Sequence, residues 1–226
     1  MNKAGEDFKC RVCEAGCGEQ REEEEKMEVE GGTLQVVDQF CYLGETMTCE
    51  AGAETALKTR IATAWGKWRE IASLLVNRKI PLRSRVYIYC ACIRPVMLYG
   101  AETWPTTREM ERILRSSDCK MLRYMAHVKW EDRVTNEEVM RRCGVEDVIS
   151  KLRRDRLRWY GHIKRREERH VLRKALELEV EGGRKAGRPK KTWRRCVEED
   201  MKEKNIDERS VYSRQDWRRL IARPTP

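Results

Sequence analysis

A mainly α fold is predicted, with a small N-terminal β-hairpin, a helical array behind it and a basic helical C-terminal region. Three observations carry the prediction. Apolar residues recur at three- and four-residue spacing after Gly52, a Gly-Gly pair sits between β-prone residues near position 30, and positive charge accumulates toward the end of the chain.

Residues 1 to 28 form an acidic leader with little to bury. They contain Cys10, Cys13 and Cys17 and the run Glu22-Glu23-Glu24-Glu25, a composition expected to be loosely ordered. From Val29 to Val36 a Gly31-Gly32 turn between β-prone residues reads as a hairpin, the second strand running on through Val37 to Leu43 and ending at Gly44. Leu57, Ile61, Ala64, Trp65, Trp68, Ile71, Ala72 and Leu75 then mark an amphipathic helix of roughly six turns. Pro81 interrupts it, and a second helix is expected from Arg83 to Met97, bent near Pro95. A third uses Met110, Ile113, Leu114, Met121, Leu122 and Met125.

Thr135-Asn136-Glu137-Glu138 has capping-box form, with Thr135 accepting from the Glu138 amide and the Glu138 carboxylate reaching back. The helix it starts should stop near Gly144. Leu152, Leu157, Tyr160 and Ile163 predict another helix, Gly182 to Pro189 a loop, Trp193, Val197 and Met201 a further helix, and Trp217, Leu220 and Ile221 a last short one. The expected division is 1–28 leader, 29–130 hairpin and following helices, and 131–226 basic helical region.

The chain has 226 residues, of which 40% are apolar and 38% charged, and its mean hydropathy is −0.79. A modest core with long solvated helix faces follows. The net charge of +10 is uneven: residues 1–50 hold 5 Lys/Arg against 13 Asp/Glu, residues 51–150 hold 18 against 12, and residues 151–226 hold 25 against 13. A basic end behind an acidic leader is the asymmetry of a chain whose end meets a polyanion, although Arg-rich solvated faces give the same count. No run reaches the roughly 18 apolar residues of a membrane span. Ten cysteines without an apolar signal segment point to a reduced, intracellular protein, nuclear or cytoplasmic, whose thiols pack as small hydrophobes.

Two segments carry the nucleic-acid signal. Leu157 to Arg166 and Gly187 to Arg195 interleave cations with aromatic rings, which can neutralise phosphates and stack on bases. The candidate contacts are Arg153, Arg154, Arg156, Arg158, Lys164, Arg165, Arg188, Lys190, Lys191 and Arg194, with His162 beside them and Trp159 and Trp193 as stacking platforms. Trp65, Trp68, Trp104 and Trp217 read as helix-packing residues; for Trp159 and Trp193 packing and stacking are both open. Gly187-Arg188-Pro189 fits a phosphate-contacting loop, a minor-groove hook or a plain linker.

Catalytic chemistry is thinly represented. His127, His162 and His170 are far apart, and no phosphate loop, HExxH or GxSxG occurs. The acidic pairs Glu131-Asp132 and Glu146-Asp147 read as solvated surface, and paired aspartates for two magnesium ions are missing. Cys10-x2-Cys13-x3-Cys17 has half of a zinc-like spacing with no histidine nearby, so zinc is not expected.

Five stretches, in their order, resemble the C-terminal part of non-LTR (LINE-type, RTE-like) retrotransposon endonuclease-reverse transcriptases. They are Leu34 to Gly44, Arg60 to Trp65, Val86 onward to Met97-Leu98-Tyr99-Gly100-Ala101-Glu102-Thr103-Trp104-Pro105, Leu157 to His162, and Gly187 to Trp193. The resemblance implies that Phe40, Tyr42, Leu43 and Gly44 belong to a primer-grip-like hairpin. It also implies that the helices beyond are thumb-like and cradle a template-primer through its backbone. The family's Tyr-x-Asp-Asp palm motif and its endonuclease have no counterpart here. The chain then resembles a truncated or degenerate copy that binds RNA or RNA-DNA duplex, alone or with the remainder of a reverse transcriptase, and is no polymerase by itself. The family's magnesium would belong to the absent palm. Two other readings stand beside this one: a helical protein-interaction module with an incidental basic end, and a minor-groove DNA-binding protein.

Overall fold

The computed structural model describes residues 53–178 and 191–223, together with the backbone of four short strands before them. The chain divides into two compact units, 1–56 and 57–226. In the first, β1 (Lys26–Val29) pairs antiparallel with β2 (Gly32–Gln35), Met27 opposite Leu34. β3 (Gln39–Tyr42) pairs with β4 (Glu45–Thr48), Phe40 opposite Met47. β2 and β3 therefore belong to separate two-stranded sheets, where one continuous strand from Leu34 to Leu43 was expected. Gly31, the first residue of the expected turn, lies outside the described residues, as does the Cys10, Cys13 and Cys17 cluster.

The rest is helical. α1 (Ala53–Leu75) buries Leu57, Ala64, Trp68 and Leu75, residues that return to one face at helical spacing. Pro81 precedes α2 (Leu82–Cys92) at φ −52°, where its missing N–H costs nothing. Arg85 is buried at the start of α2 and donates to three carbonyls: Leu75 at 3.3 Å, Ile80 at 2.9 Å and Met125 at 2.6 Å. One guanidinium thus satisfies orphan carbonyls at the C-terminal ends of both α1 and α4. The bend expected near Pro95 is a break, because proline cannot continue the helical ladder. A separate α3 (Arg94–Met97) begins there.

Gly100 turns the chain at φ 73°, and a single 3-10 turn over Ala101–Thr103 follows. α4 (Arg108–Ala126) starts at Thr107, whose hydroxyl accepts from the Met110 amide at 3.3 Å. It buries Met110, Leu114, Met121, Leu122 and Met125. α5 (Asn136–Cys143) is capped by Thr135, which accepts from the Glu138 amide at 3.3 Å, and ends at Gly144 in the left-handed region, φ 64°. The Glu138 carboxylate does not reach back as a capping box requires. It is held by Arg141 and Arg142 at 2.7 and 2.8 Å, which lower its pKa to about 2.

α6 (Val148–Lys164) is the central element and packs on α4, a later helix α8 (Trp193–Glu203) and a last helix α9 (Arg214–Ala222). A short α7 (Val171–Glu177) follows α6, and a 3-10 turn at Glu208–Tyr212 precedes α9. Inside the bundle Arg94 grips Asp118 with two bonds, 2.9 and 2.8 Å, while the Tyr89 hydroxyl donates to the same carboxylate at 2.6 Å. Arg94 also donates to the Glu146 carbonyl at 3.0 Å, tying α3 and α4 to the entry of α6. α4 packs against both α5 and α6 within this unit. A second apolar cluster, Leu157, Tyr160, Val197, Ile206, Val211, Trp217 and Ile221, closes the bundle.

Candidate nucleic-acid interface

A cleft of about 450 Å³ between α6 and α9 brings basic side chains beside aromatic rings. α9 is positioned by Ser213, whose hydroxyl accepts from the Asp216 amide at 3.3 Å. Trp217 and Ile221, one turn apart, point into the apolar cluster. That orientation leaves Arg214 and Arg218, also one turn apart, lining the cleft. Gly161 makes the close approach of α9 possible: a Cβ there would collide with the Trp217 indole and the Arg165 guanidinium. The indole N–H of Trp217 donates to the Leu157 carbonyl at 3.0 Å, and Arg165 donates to the Val211 carbonyl at 2.8 Å.

Across the cleft, α6 contributes Arg158, Trp159 and His162, and its C-terminal cap contributes Arg165. The Trp159 and His162 rings are stacked, with centroids 5.4 Å apart and planes at 18°. Arg166 Nη2 lies 3.0 Å from His162 Nε2; a guanidinium only donates, so Nε2 accepts and the imidazole is neutral in this contact. Burial, then the charges of Arg166, Arg165, His170 and Arg214, hold the His162 pKa below its ordinary value. Burial, then Arg214 and Arg218, similarly lower that of Arg165. The carboxylates in the lining are Asp155 and Glu102. Asp155 is paired with Lys151 and Arg158, both at 2.9 Å. Neither Arg214 nor Arg218 has an ion pair among the described residues. Four arginines against two carboxylates leave the cleft a net positive charge, the condition for holding an anion.

The other sequence-predicted contacts divide sharply. Arg156 is 1% exposed and donates to Asp200 at 3.0 Å and to the Thr106 hydroxyl at 2.5 Å, so its guanidinium is structural and corrects the expected phosphate contact. Arg153 is drawn between Glu111, Glu203 and Asp200, and Arg154 onto Glu146. Lys164 pairs with Glu208 at 3.0 Å and Lys191 with Glu199 at 2.7 Å. Trp193 is half-buried against the apolar cluster and donates to the Glu102 carbonyl at 2.7 Å. Arg194 is exposed, with Glu198 at 3.8 Å. Arg188 and Lys190 lie outside the described residues, as do Leu43 and Gly44; Phe40 and Tyr42 fall in β3.

Two basic features had not been singled out in the sequence. Arg214 and Arg218 are one, although their i, i+4 spacing beside Trp217 is a legible signal. The other is a groove of about 700 Å³ along α4, lined by Arg108, Arg112, Arg115, Lys120 and Arg123. Two of these five charges meet carboxylates, Arg112 with Glu109 and Arg115 with Asp147, while Arg123 donates to the neutral Val134 carbonyl and Asn136 side chain. Among the described residues no group of three or more His, Cys, Asp or Glu side chains is placed to hold a metal ion, and no helix is long and apolar enough to cross a membrane.

Over 142 residues the chain is 21% identical to an uncharacterized transposon-derived protein of Caenorhabditis elegans, an alignment covering 60% of this chain. The chain spans about half (50%) of the length of that relative. No protein-family profile and no solved structure matches the chain.

Proposed function

We propose that this chain is a nucleic-acid-binding region of a transposable-element reverse transcriptase of the non-LTR type, holding RNA or an RNA-DNA template-primer through the sugar-phosphate backbone. The observation that carries the reading is the α6–α9 cleft, where Arg165, Arg214, Arg218 and His162 converge beside a stacked aromatic pair. The transposon-derived relative and the order of the five sequence stretches support the same origin. The proposed role is binding. The palm aspartates that carry the family's magnesium have no counterpart in the sequence, so nucleotidyl transfer is assigned to a different segment of the enzyme. Such a chain would act in the nucleus or cytoplasm, where its substrate resides.

The test is affinity against salt concentration for single-stranded RNA, an RNA-DNA hybrid and several unrelated sequences. The reading expects log K to fall linearly with log salt, by about 0.7 per phosphate neutralised on a single strand, with little sequence preference. Absence of binding, or binding unchanged at high salt, contradicts it.

A further inference from the structure

We infer that the α6–α9 cleft is a slot for one unpaired nucleotide of a single strand, with its phosphate among Arg165, Arg214 and Arg218 and its base laid against the Trp159–His162 stack. This rests on the nucleic-acid reading above and narrows it. A surface that only tracks the backbone is indifferent to bases, whereas this one takes a base out of the strand.

Size, charge and shape agree. At about 450 Å³ the cleft lies within the range of small-molecule sites, roughly 300–1,000 Å³, and admits a nucleotide but not a double helix. Its cations come from two sides: Arg158 on α6 and Arg165 at its C-terminal cap, Arg214 and Arg218 from α9. A phosphate between the helices would neutralise Arg214 and Arg218, which no described carboxylate does, and relieve their repulsion of Arg165. Arg158 is already committed to Asp155 and stands at the rim. The stacked Trp159 and His162 rings present an outer aromatic face on which a base can continue the stack, and His162 is exposed. A base reaches such a surface only when it has left its own stack, which selects single-stranded segments. Trp217 and Ile221 form the apolar floor and keep the slot in shape by their burial.

The test uses the full chain and two labelled oligonucleotides of equal length and charge, oligo-adenylate and a fully abasic strand. Base stacking is worth about 1–3 kcal/mol by alanine substitution, so the base-bearing strand should bind at least about fivefold more tightly. Trp159→Ala and, separately, His162→Ala should shrink that ratio toward one, while Trp159→Phe retains most of it. Both histidine and phenylalanine variants leave the buried Trp217 floor untouched and serve if Trp159→Ala fails to fold. Equal binding of the two strands by the unmodified chain overturns the slot and leaves the backbone reading standing. A ratio that survives both alanine variants places the base elsewhere and also overturns it. Failure to bind either strand overturns both readings.

Discussion

Arg156 on α6 holds the Asp200 carboxylate of α8 at 3.0 Å in the interior of the bundle, and each side chain is almost wholly excluded from solvent. The pair joins two helices that carry much of the basic sequence, so an arginine that looks like a phosphate ligand in one dimension is a joint in three. Burial raises the Asp200 pKa to about 6 against the opposing pull of Arg156 and Arg153.

Removing Arg156 leaves the buried Asp200 carboxylate with only the longer contact to Arg153 at 3.6 Å. Arg156→Ala should therefore cost about 3–5 kcal/mol of stability. The double change Arg156→Met/Asp200→Leu should recover much of it, because an apolar pair has no charge to desolvate. Chemical denaturation of the two variants beside the unmodified chain measures this. A fully stable Arg156→Ala that has lost nucleic-acid affinity would return Arg156 to the binding surface.

Gly161 is a second structural position inside the basic segment. Alanine normally strengthens a helix relative to glycine by about 0.5–1 kcal/mol. Here its methyl would meet the Trp217 indole and the Arg165 guanidinium, and overpacking of that kind costs about 1–3 kcal/mol. Gly161→Ala should lower the melting temperature and weaken binding together, since α9 and its arginines must shift. An increase in thermal stability would show that α9 does not pack as described.

His162 gives the cleft a pH dependence with opposite signs for folding and binding. Its pKa in the folded chain lies below the ordinary value of 6.5, through burial and then the charges of Arg166, Arg165, His170 and Arg214. Without ligand, its contribution to stability is present above pH 6.5 and is lost as pH falls through the folded value. A phosphate in the cleft favours the imidazolium, so affinity should rise as pH falls below 6.5. His162→Gln should flatten the binding profile, while His170→Gln should leave most of it. Binding titrations between pH 5 and 8 check the slope, and a profile unchanged by His162→Gln would remove the histidine from the site.

Helical periodicity made α1, α4, α6, α8 and α9 legible because each buries one face at regular spacing, as Met110, Leu114, Met121, Leu122 and Met125 do on α4. Thr135 and Gly144 marked the ends of α5 through local backbone chemistry, and Thr135 caps it as expected. Glu138 departed from its expected role because two arginines on its own helix offered stronger, charge-assisted bonds. The binding surface was less legible for one physical reason. Whether an arginine is free depends on carboxylates brought from other elements, and Glu111, Glu146, Asp200 and Glu203 reach Arg153, Arg154 and Arg156 only once the bundle has formed. The same folding step brings Arg214 and Arg218 opposite Trp159 and His162, a juxtaposition across more than 50 residues that no local pattern encodes.

The most direct measurement of the central claim is the salt dependence of RNA binding by the chain carrying Arg214→Glu and Arg218→Glu, set beside the unmodified chain. Both side chains flank the buried face of α9 without ion pairs among the described residues, so the fold should persist by circular dichroism. Affinity at low salt should fall sharply, and the slope of log K against log salt should become shallower by about 1.4, two single-strand phosphate contacts. A folded double variant with the affinity and slope of the unmodified chain would contradict the claim.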